Sequence, residues 1–403
     1  MKHITFLSLL ILASCIMHLP TEPELYVDDK YSIQLSDSSK SAMNGVYAVD
    51  YGNDLFGEEV VGIWKDRKWC MYAKHDVYFS ECAGGPIGDL IEINGYIRIV
   101  RSGSGQNLNL TISTEEGATE LIQGIVPDKI TIRGKASDGT DIVLSKIISI
   151  NNTSPADFYV IAHRGGGRNS ERLGKSENSL EMIRYAEILG ANGVEIDVKS
   201  TRDGQLILFH DATFSPRTVQ GSYLLGKVEN FDLDQIKIFG QLIYGESIPT
   251  LEEALNTIIN ETKLSLIWID LKDPEIVDAV ILAQQNAINY ALSIGRNIKI
   301  LMGIPTDEIF NAYNSSEYKN LTPTLVELDA DKAKSLQTCE AWAPRWTNGI
   351  PSQGTLDEMH SRNILVFTWT LDVRDYINDF LEANIDGILS NYPSLVAGMY
   401  YSR

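Results

Sequence analysis

From about residue 158 onward the chain alternates short apolar strands with amphipathic helices, and this alternation restricts the fold more than any other feature. The strand segments are "YVIAH", "GVEIDVKS", "LSLIWIDLK", "IKILMGI", "TLVELDA", "AWAPRW", "ILVFTWTLD" and "DGILSN". Between them lie helical stretches such as "SLEMIRYAEILG", "TLEEALNTIIN" and "VRDYINDFLEAN". Apolar strands separated by helices specify a parallel sheet covered on both faces. Eight such pairs predict a (β/α)8 TIM barrel over 157–403, with chemistry at the carboxyl ends of its strands.

A chain of 403 residues exceeds the size of one core, and the upstream half reads differently. Residues 42–150 show short alternating strands broken by Gly, Asp and Ser, which predict an all-β domain, either a sandwich-like pair of sheets or a barrel. It holds no catalytic constellation. Trp64, Trp69, Tyr72 and Tyr78 either fill its core or line a surface for a carbohydrate or protein partner. Cys70 and Cys82 flank a hairpin candidate, compatible with a disulfide or with two buried thiols. The linker "NNTSPADF" supports the expectation that the second domain works without the first.

Residues 1–15 carry Lys2, an apolar run from Ile4 to Leu12, and then Leu12-Ala13-Ser14-Cys15. This has the form of a secretion signal and resembles the lipobox of bacterial lipoproteins, which implies export and membrane attachment through a lipidated Cys15, facing periplasm or cell surface. Residues 16–41 then read as a polar tether. A net charge of -20 excludes nucleic acid or an anionic surface held by electrostatics alone. An anionic substrate needs a local positive site or a bound metal.

The strand ends supply both. His163 and Arg164 end the first strand of the barrel; taken alone, a core histidine and a solvated arginine would account for them. On the second strand Glu195 and Asp197 share one face, and on the third Asp270 and Lys272 do the same. Carboxylates on apolar strands require a cation or an arginine partner, and hard oxygen ligands suit Ca²⁺ or Mg²⁺. His210 and Asp211 end a short strand after the turn "TRDG". Two histidines, a divalent cation, an arginine and a lysine form a set able to cleave a phosphodiester, one imidazole accepting a proton while the other donates one.

The run "AHRGG…SENS…GVEIDVKSTRDGQLILFHD…RT…IPTLEEAL…IDLKD…FTWTLD…DGILSNYP" resembles the glycerophosphodiester phosphodiesterase family across 157–403. The resemblance implies a TIM barrel with a small insertion after its second strand, matched by about Ala212 to Tyr244. It implies that His163 and His210 are the catalytic histidines, Glu195, Asp197 and Asp270 the metal ligands, and Arg164, Lys272, Glu177 and Trp369 the groups that bind phosphate and line the substrate mouth. The family usually has glutamate where Asp270 stands, one methylene longer. The implied substrate is a small glycerophosphodiester, the implied product glycerol 3-phosphate formed through a cyclic phosphate, and the implied cofactor a divalent metal ion. A phospholipase D-like or phosphoinositide-cleaving barrel, and a non-catalytic surface-binding lipoprotein, are the alternatives.

Overall fold

The computed structural model describes residues 25–150, 158–221 and 223–403. The signal segment, the first part of the tether and most of the linker lie outside the described residues.

Eight antiparallel strands form the first domain: β1 (Gly45–Tyr51), β2 (Glu59–Lys65), β3 (Lys68–Ala73), β4 (Tyr78–Ile87), β5 (Leu90–Ile99), β6 (Gly105–Ile112), β7 (Thr131–Ala136) and β8 (Asp141–Ser149). Pairing of β1 with both β2 and β8 closes the sheet, so of the two forms the strand pattern allows this is the barrel. Trp64 and Trp69 fill its interior and Tyr72 is buried on its outer face, which removes them as a ligand surface. Cys70 and Cys82 are free thiols. They stand on adjacent strands but on opposite faces, Cys82 inside the barrel and Cys70 outside, so their sulfurs cannot meet. Residues 25–41 are not a free tether: Tyr31 and Leu35 are buried, and the helix Asp37–Met43 plugs the barrel with Ala42 and Met43.

The second domain is the parallel barrel. Its strands are β9 (Tyr159–Ala162), β10 (Gly193–Ser200), β14 (Leu266–Leu271), β15 (Lys299–Ile304), β16 (Thr324–Val326), β17 (Cys339–Trp342), β18 (Leu365–Thr368) and β19 (Gly387–Ser390), closed by pairing of β9 with β10 and with β19. Between β10 and β14 come β11 (Leu206–Leu208), antiparallel to β10, and a ribbon of β12 (Thr213–Phe214) and β13 (Gly226–Lys227). The ribbon and the helix Leu233–Phe239 form the insertion, with a small core of its own around Phe209, Phe214, Leu224 and Ile236. Alternate residues of each strand point inward: Ile161, Leu266, Trp268, Leu325 and Phe367 fill the barrel, while Val160, Ile267 and Ile269 meet the helices. No described helix is long and apolar enough to cross a membrane.

The two barrels share a core. Val61, Ile63, Tyr72, Val77 and Phe79 face outward from the first barrel into one continuous cluster with Met182, Tyr185, Leu189, Val396 and Ala397 of the second. The Tyr72 hydroxyl donates to the Ile188 carbonyl at 3.1 Å, and the Tyr96 and Tyr185 hydroxyls, 2.7 Å apart, both reach Glu81 Oε2. The expectation that the second domain stands without the first therefore meets a physical objection. Each large side chain in this face contributes about 1.5–3 kcal/mol by leaving water, and an apolar face of this kind, once bare, promotes association. A chain beginning at Phe158 should accumulate as aggregate or melt at a clearly lower temperature than the full chain. Soluble, monomeric protein with an unchanged melting temperature would show that the shared core is dispensable.

Candidate active site

Period-two alternation places Asp270 above Leu266 and Trp268 on the inner face of β14, at the carboxyl end of the barrel. Parallel register sets Asp197 of β10 directly beside Asp270, with Glu195 level with Trp268 below. The three carboxylates offer oxygens that all lie within 4.8 Å of one another, and Glu195 and Asp197 are buried. Such a cluster is costly without compensation.

Lys272 supplies part of it. Its ammonium lies 2.7 Å from Asp197 Oδ1 and also contacts Asp270, so it faces the carboxylates first and a phosphate only beyond them. Asn178 holds Asp197 from the other side, its amide nitrogen donating to Oδ2 at 2.7 Å while its oxygen accepts from the Asp197 backbone N–H. Glu195 Oε2 accepts from the Arg164 backbone N–H at 2.7 Å. Just beyond that N–H, Arg164 adopts φ 53°, ψ 39°, a left-handed conformation uncommon outside glycine. Burial, then Asp197 and Asp270, push Glu195 well above the usual carboxylate range; burial likewise raises Asp270 although Lys272 opposes it. Asp197 is held low against its burial by Lys272, His210 and Arg164.

Two oxygens remain uncompensated. Glu195 Oε1 and Asp270 Oδ1 are buried and have no hydrogen-bond partner. Buried hard oxygens lacking donors, three carboxylates deep, fit a divalent cation of the Ca²⁺ or Mg²⁺ kind. The shorter Asp270 still enters the cluster. Glu327, just past β16, was not singled out from the sequence; its Oε1 is also buried without a partner, and burial followed by Asp270 raises its carboxyl well above the ordinary range.

Each histidine is tied through Nδ1. His163 Nδ1 lies 2.7 Å from Asn391 Oδ1. The Asn391 amide nitrogen donates to Asp372 Oδ2 at 2.6 Å, which leaves its oxygen to face the ring and assigns the proton to Nδ1. Burial and then Arg164 lower the His163 imidazole to about 4, so it is neutral at neutral pH with Nε2 unprotonated, 3.9 Å from Glu195. His210 Nδ1 lies 2.9 Å from Asp211 Oδ1, and the preceding N–H, of Phe209, donates to the Asp197 carbonyl, which fixes His210 beside the carboxylates.

The resemblance places Glu177 among the phosphate-binding groups. Its two oxygens accept from Arg164 Nη1 at 3.0 Å, from both Nη atoms of Arg217 at 2.9 and 3.1 Å, and from the Asn169 N–H. A carboxylate so engaged orients the two guanidinium groups. Arg164 keeps a buried Nε with no hydrogen-bond partner, 3.8 Å from Asp197 Oδ2. Trp369, after β18, donates from its indole to the Ala343 carbonyl and lies beneath the Arg345 guanidinium at the mouth.

The glycerophosphoryl diester phosphodiesterase family model matches residues 163–395, more than half of the chain. The chain belongs to that family. It is a phosphoric diester hydrolase by that membership. A glycerophosphodiester phosphodiesterase of Caldanaerobacter subterraneus subsp. tengcongensis is 28% identical over 260 residues, covering 60% of this chain and 96% of the relative. A probable glycerophosphodiester phosphodiesterase 2 of Mycobacterium tuberculosis is 27% identical over 252 residues, covering 60% and 90%. The crystal structure of a glycerophosphodiester phosphodiesterase from Parabacteroides distasonis aligns with 62% of this chain and 98% of its own, at 20% identity and a TM-score of 0.48. The family match starts at His163, so the first barrel lies outside it.

Arg217, on the insertion, links what the family motifs list separately. Besides Glu177 it donates from Nε to Asp211 Oδ2 at 3.0 Å, so one guanidinium holds both the partner of Arg164 and the partner of His210. Arg217→Ala should lower kcat/KM by about tenfold or more, and Arg217→Lys should restore little, because an ammonium cannot span two carboxylates. Steady-state kinetics on a soluble phosphodiester, with circular dichroism as the folding control, would check this; a wild-type kcat/KM for the alanine variant would remove Arg217 from the site.

Proposed function

We propose that this chain hydrolyses glycerophosphodiesters to glycerol 3-phosphate and an alcohol, with His163 and His210 as its acid/base pair. The observation that carries this is the matched anchoring of the two imidazoles: each is tied through Nδ1 to an oxygen acceptor, so each presents Nε2 to the same carboxylate-lined mouth.

The substrate's glycerol hydroxyl next to the phosphodiester is the nucleophile. One Nε2 accepts its proton as the oxygen closes on phosphorus, and the other imidazole, protonated, gives a proton to the departing head-group alcohol. A cyclic phosphate results. Water opens it with the two imidazoles exchanging roles, which returns glycerol 3-phosphate and the starting protonation state. Because nucleophile and phosphate belong to one molecule, the first step is intramolecular and needs only orientation. Arg164 orients it through the Nε that lacks a hydrogen-bond partner, its guanidinium fixed by Glu177. A divalent ion held by Glu195, Asp197 and Asp270 would add charge stabilisation for the phosphoryl oxygens.

His163→Ala and His210→Ala should each reduce release of glycerol 3-phosphate from a panel of soluble glycerophosphodiesters by about 10²-fold or more, with folding intact. Near wild-type turnover by either variant would cancel the acid/base assignment.

Chelation should abolish turnover, and either Ca²⁺ or Mg²⁺ should restore it. Calorimetric titration of the apoprotein gives a readout independent of activity. Asp270→Asn should weaken cation binding more than it lowers the melting temperature, whereas Asp270→Glu should retain binding. Full activity in excess chelator, with no calorimetric binding, would take the carboxylate cluster out of the mechanism.

A further inference from the structure

The loops that follow β17 and β18 bring large apolar side chains to the surface at the carboxyl end of the barrel. Ile350, Val373 and Tyr376 are 44%, 47% and 46% exposed, and Trp346 packs against Tyr376 with ring centroids 5.0 Å apart. Val373 caps the helix Arg374–Glu382 and Tyr376 lies in its first turn, so both face out beside the mouth. A second cluster lies on the insertion, which follows β10, the strand opposite β17 in the barrel. There the insertion exposes Tyr223 (78%) and Ile238 (72%), with the Phe239 ring 6.1 Å from that of Tyr223. Single exposed apolar residues are ordinary, but two aromatic clusters flanking one opening are not.

The path of the chain gives an independent indication. Leu25, the first described residue, packs on Gly105 at the hairpin between β5 and β6. Arg101 of that hairpin lies over the Tyr392 ring at 5.3 Å, and Arg98 at the end of β5 donates to the Arg172 carbonyl. Tyr392 and Arg172 belong to the loops after β19 and β9, so the chain enters the molecule at the mouth end. The residues ahead of it include Cys15, whose lipidation the lipobox resemblance implies, only ten residues before Leu25. Attachment there would hold the mouth end toward the lipid. Trp and Tyr favour the boundary between water and hydrocarbon, and exposed Arg101 and Arg172 suit phosphate head groups. The net charge of -20 selects a zwitterionic surface over a strongly anionic one.

We infer that the mouth face docks on a zwitterionic phospholipid surface through the Trp346–Tyr376 and Tyr223–Ile238 clusters, and that its substrate is a glycerophosphodiester carrying an acyl chain in that surface. This rests on the glycerophosphodiester chemistry proposed above and adds where the substrate resides.

Brominated acyl chains quench indole on contact, which separates docking of the rim from any other attachment of the chain. The full chain is mixed with phosphatidylcholine vesicles, brominated or plain, containing lysophosphatidylcholine. Quenching by the brominated vesicles is expected, reduced in Trp346→Phe. The double variant Ile350→Ser with Tyr376→Ser should hydrolyse the vesicle-borne lysophosphatidylcholine at least about tenfold more slowly while leaving soluble glycerophosphocholine turnover unchanged, a lower bound because each half-exposed side chain leaves water only in part on docking. No bromine-dependent quench in the wild type, or an equal effect of the double variant on both substrates, overturns the docking. Absence of turnover on either substrate would instead remove the chemical reading, with the quench still deciding whether the rim meets lipid.

Discussion

Three carboxylates converge on one point of a barrel mouth where two of them have no access to water, and most of the surrounding structure answers that constraint. Each neighbouring polar group compensates one oxygen: Lys272 and Asn178 those of Asp197, the Arg164 N–H one of Glu195. The last of these has structural reach. Beyond that N–H Arg164 turns left-handed, its side chain reaches Glu177, and the loop to residue 177 begins. Glu177 also holds Arg217, which fastens the insertion to the barrel. Arg164, the loop and the insertion are thus tied to the surroundings of one buried carboxylate.

The first barrel enters this network through the same loop. Arg98 donates to the Arg172 carbonyl, and Lys175 lies 4.0 Å above the Tyr185 ring, whose hydroxyl reaches Glu81 of β4. The loop that orders Arg164 is therefore held between two domains. A domain without catalytic groups of its own can still limit how far the mouth opens. This differs from a module that binds a separate ligand, and the burial of Trp64, Trp69 and Tyr72 agrees with the structural part.

The second barrel was legible because its strands are apolar on both faces and its departures from that rule, such as Asp270 two residues beyond Trp268, fall at the strand ends. The shared core was written in the sequence by the same rule. The strand "KWCMYA" of the first domain does not alternate: it is apolar on both faces, which means both are covered, and only a partner outside its own barrel can cover the second. Residues 25–41 looked like a tether because Asp28, Asp29, Lys30 and the serines after Leu35 dominate the stretch, and the brief alternation Tyr31, Ile33, Leu35 is too short to set a strand, with Ile33 exposed. The clamp of Arg217 on Glu177 and Asp211 was hidden for a different reason. Its partners lie 40 and 6 residues away in sequence, and only the fold of the insertion brings them together. Asn391, which with Asp372 sets the tautomer of His163, meets the ring across 228 residues and one strand pair.

The charge inventory of the mouth bears on how an acidic protein accepts an anion. Arg164 and Arg217 are matched by Glu177 and Asp211, and Lys272 by Asp197 and Asp270. One lysine against two aspartates leaves one carboxylate in surplus and Glu195 is a second, and burial with these neighbours raises the carboxyls of both Glu195 and Asp270. Set against these pairs, a phosphodiester entering the mouth meets no surplus of positive charge from side chains, and its own charge would add to that of the carboxylates. On the reading proposed above, a divalent ion held by Glu195, Asp197 and Asp270 would change both terms at once. It would give the partnerless oxygens a ligand and relieve Lys272 of compensating two carboxylates, so that the ammonium could turn toward phosphate. Lys272 and the cation would then be coupled, the lysine serving the carboxylates without the cation and the substrate with it.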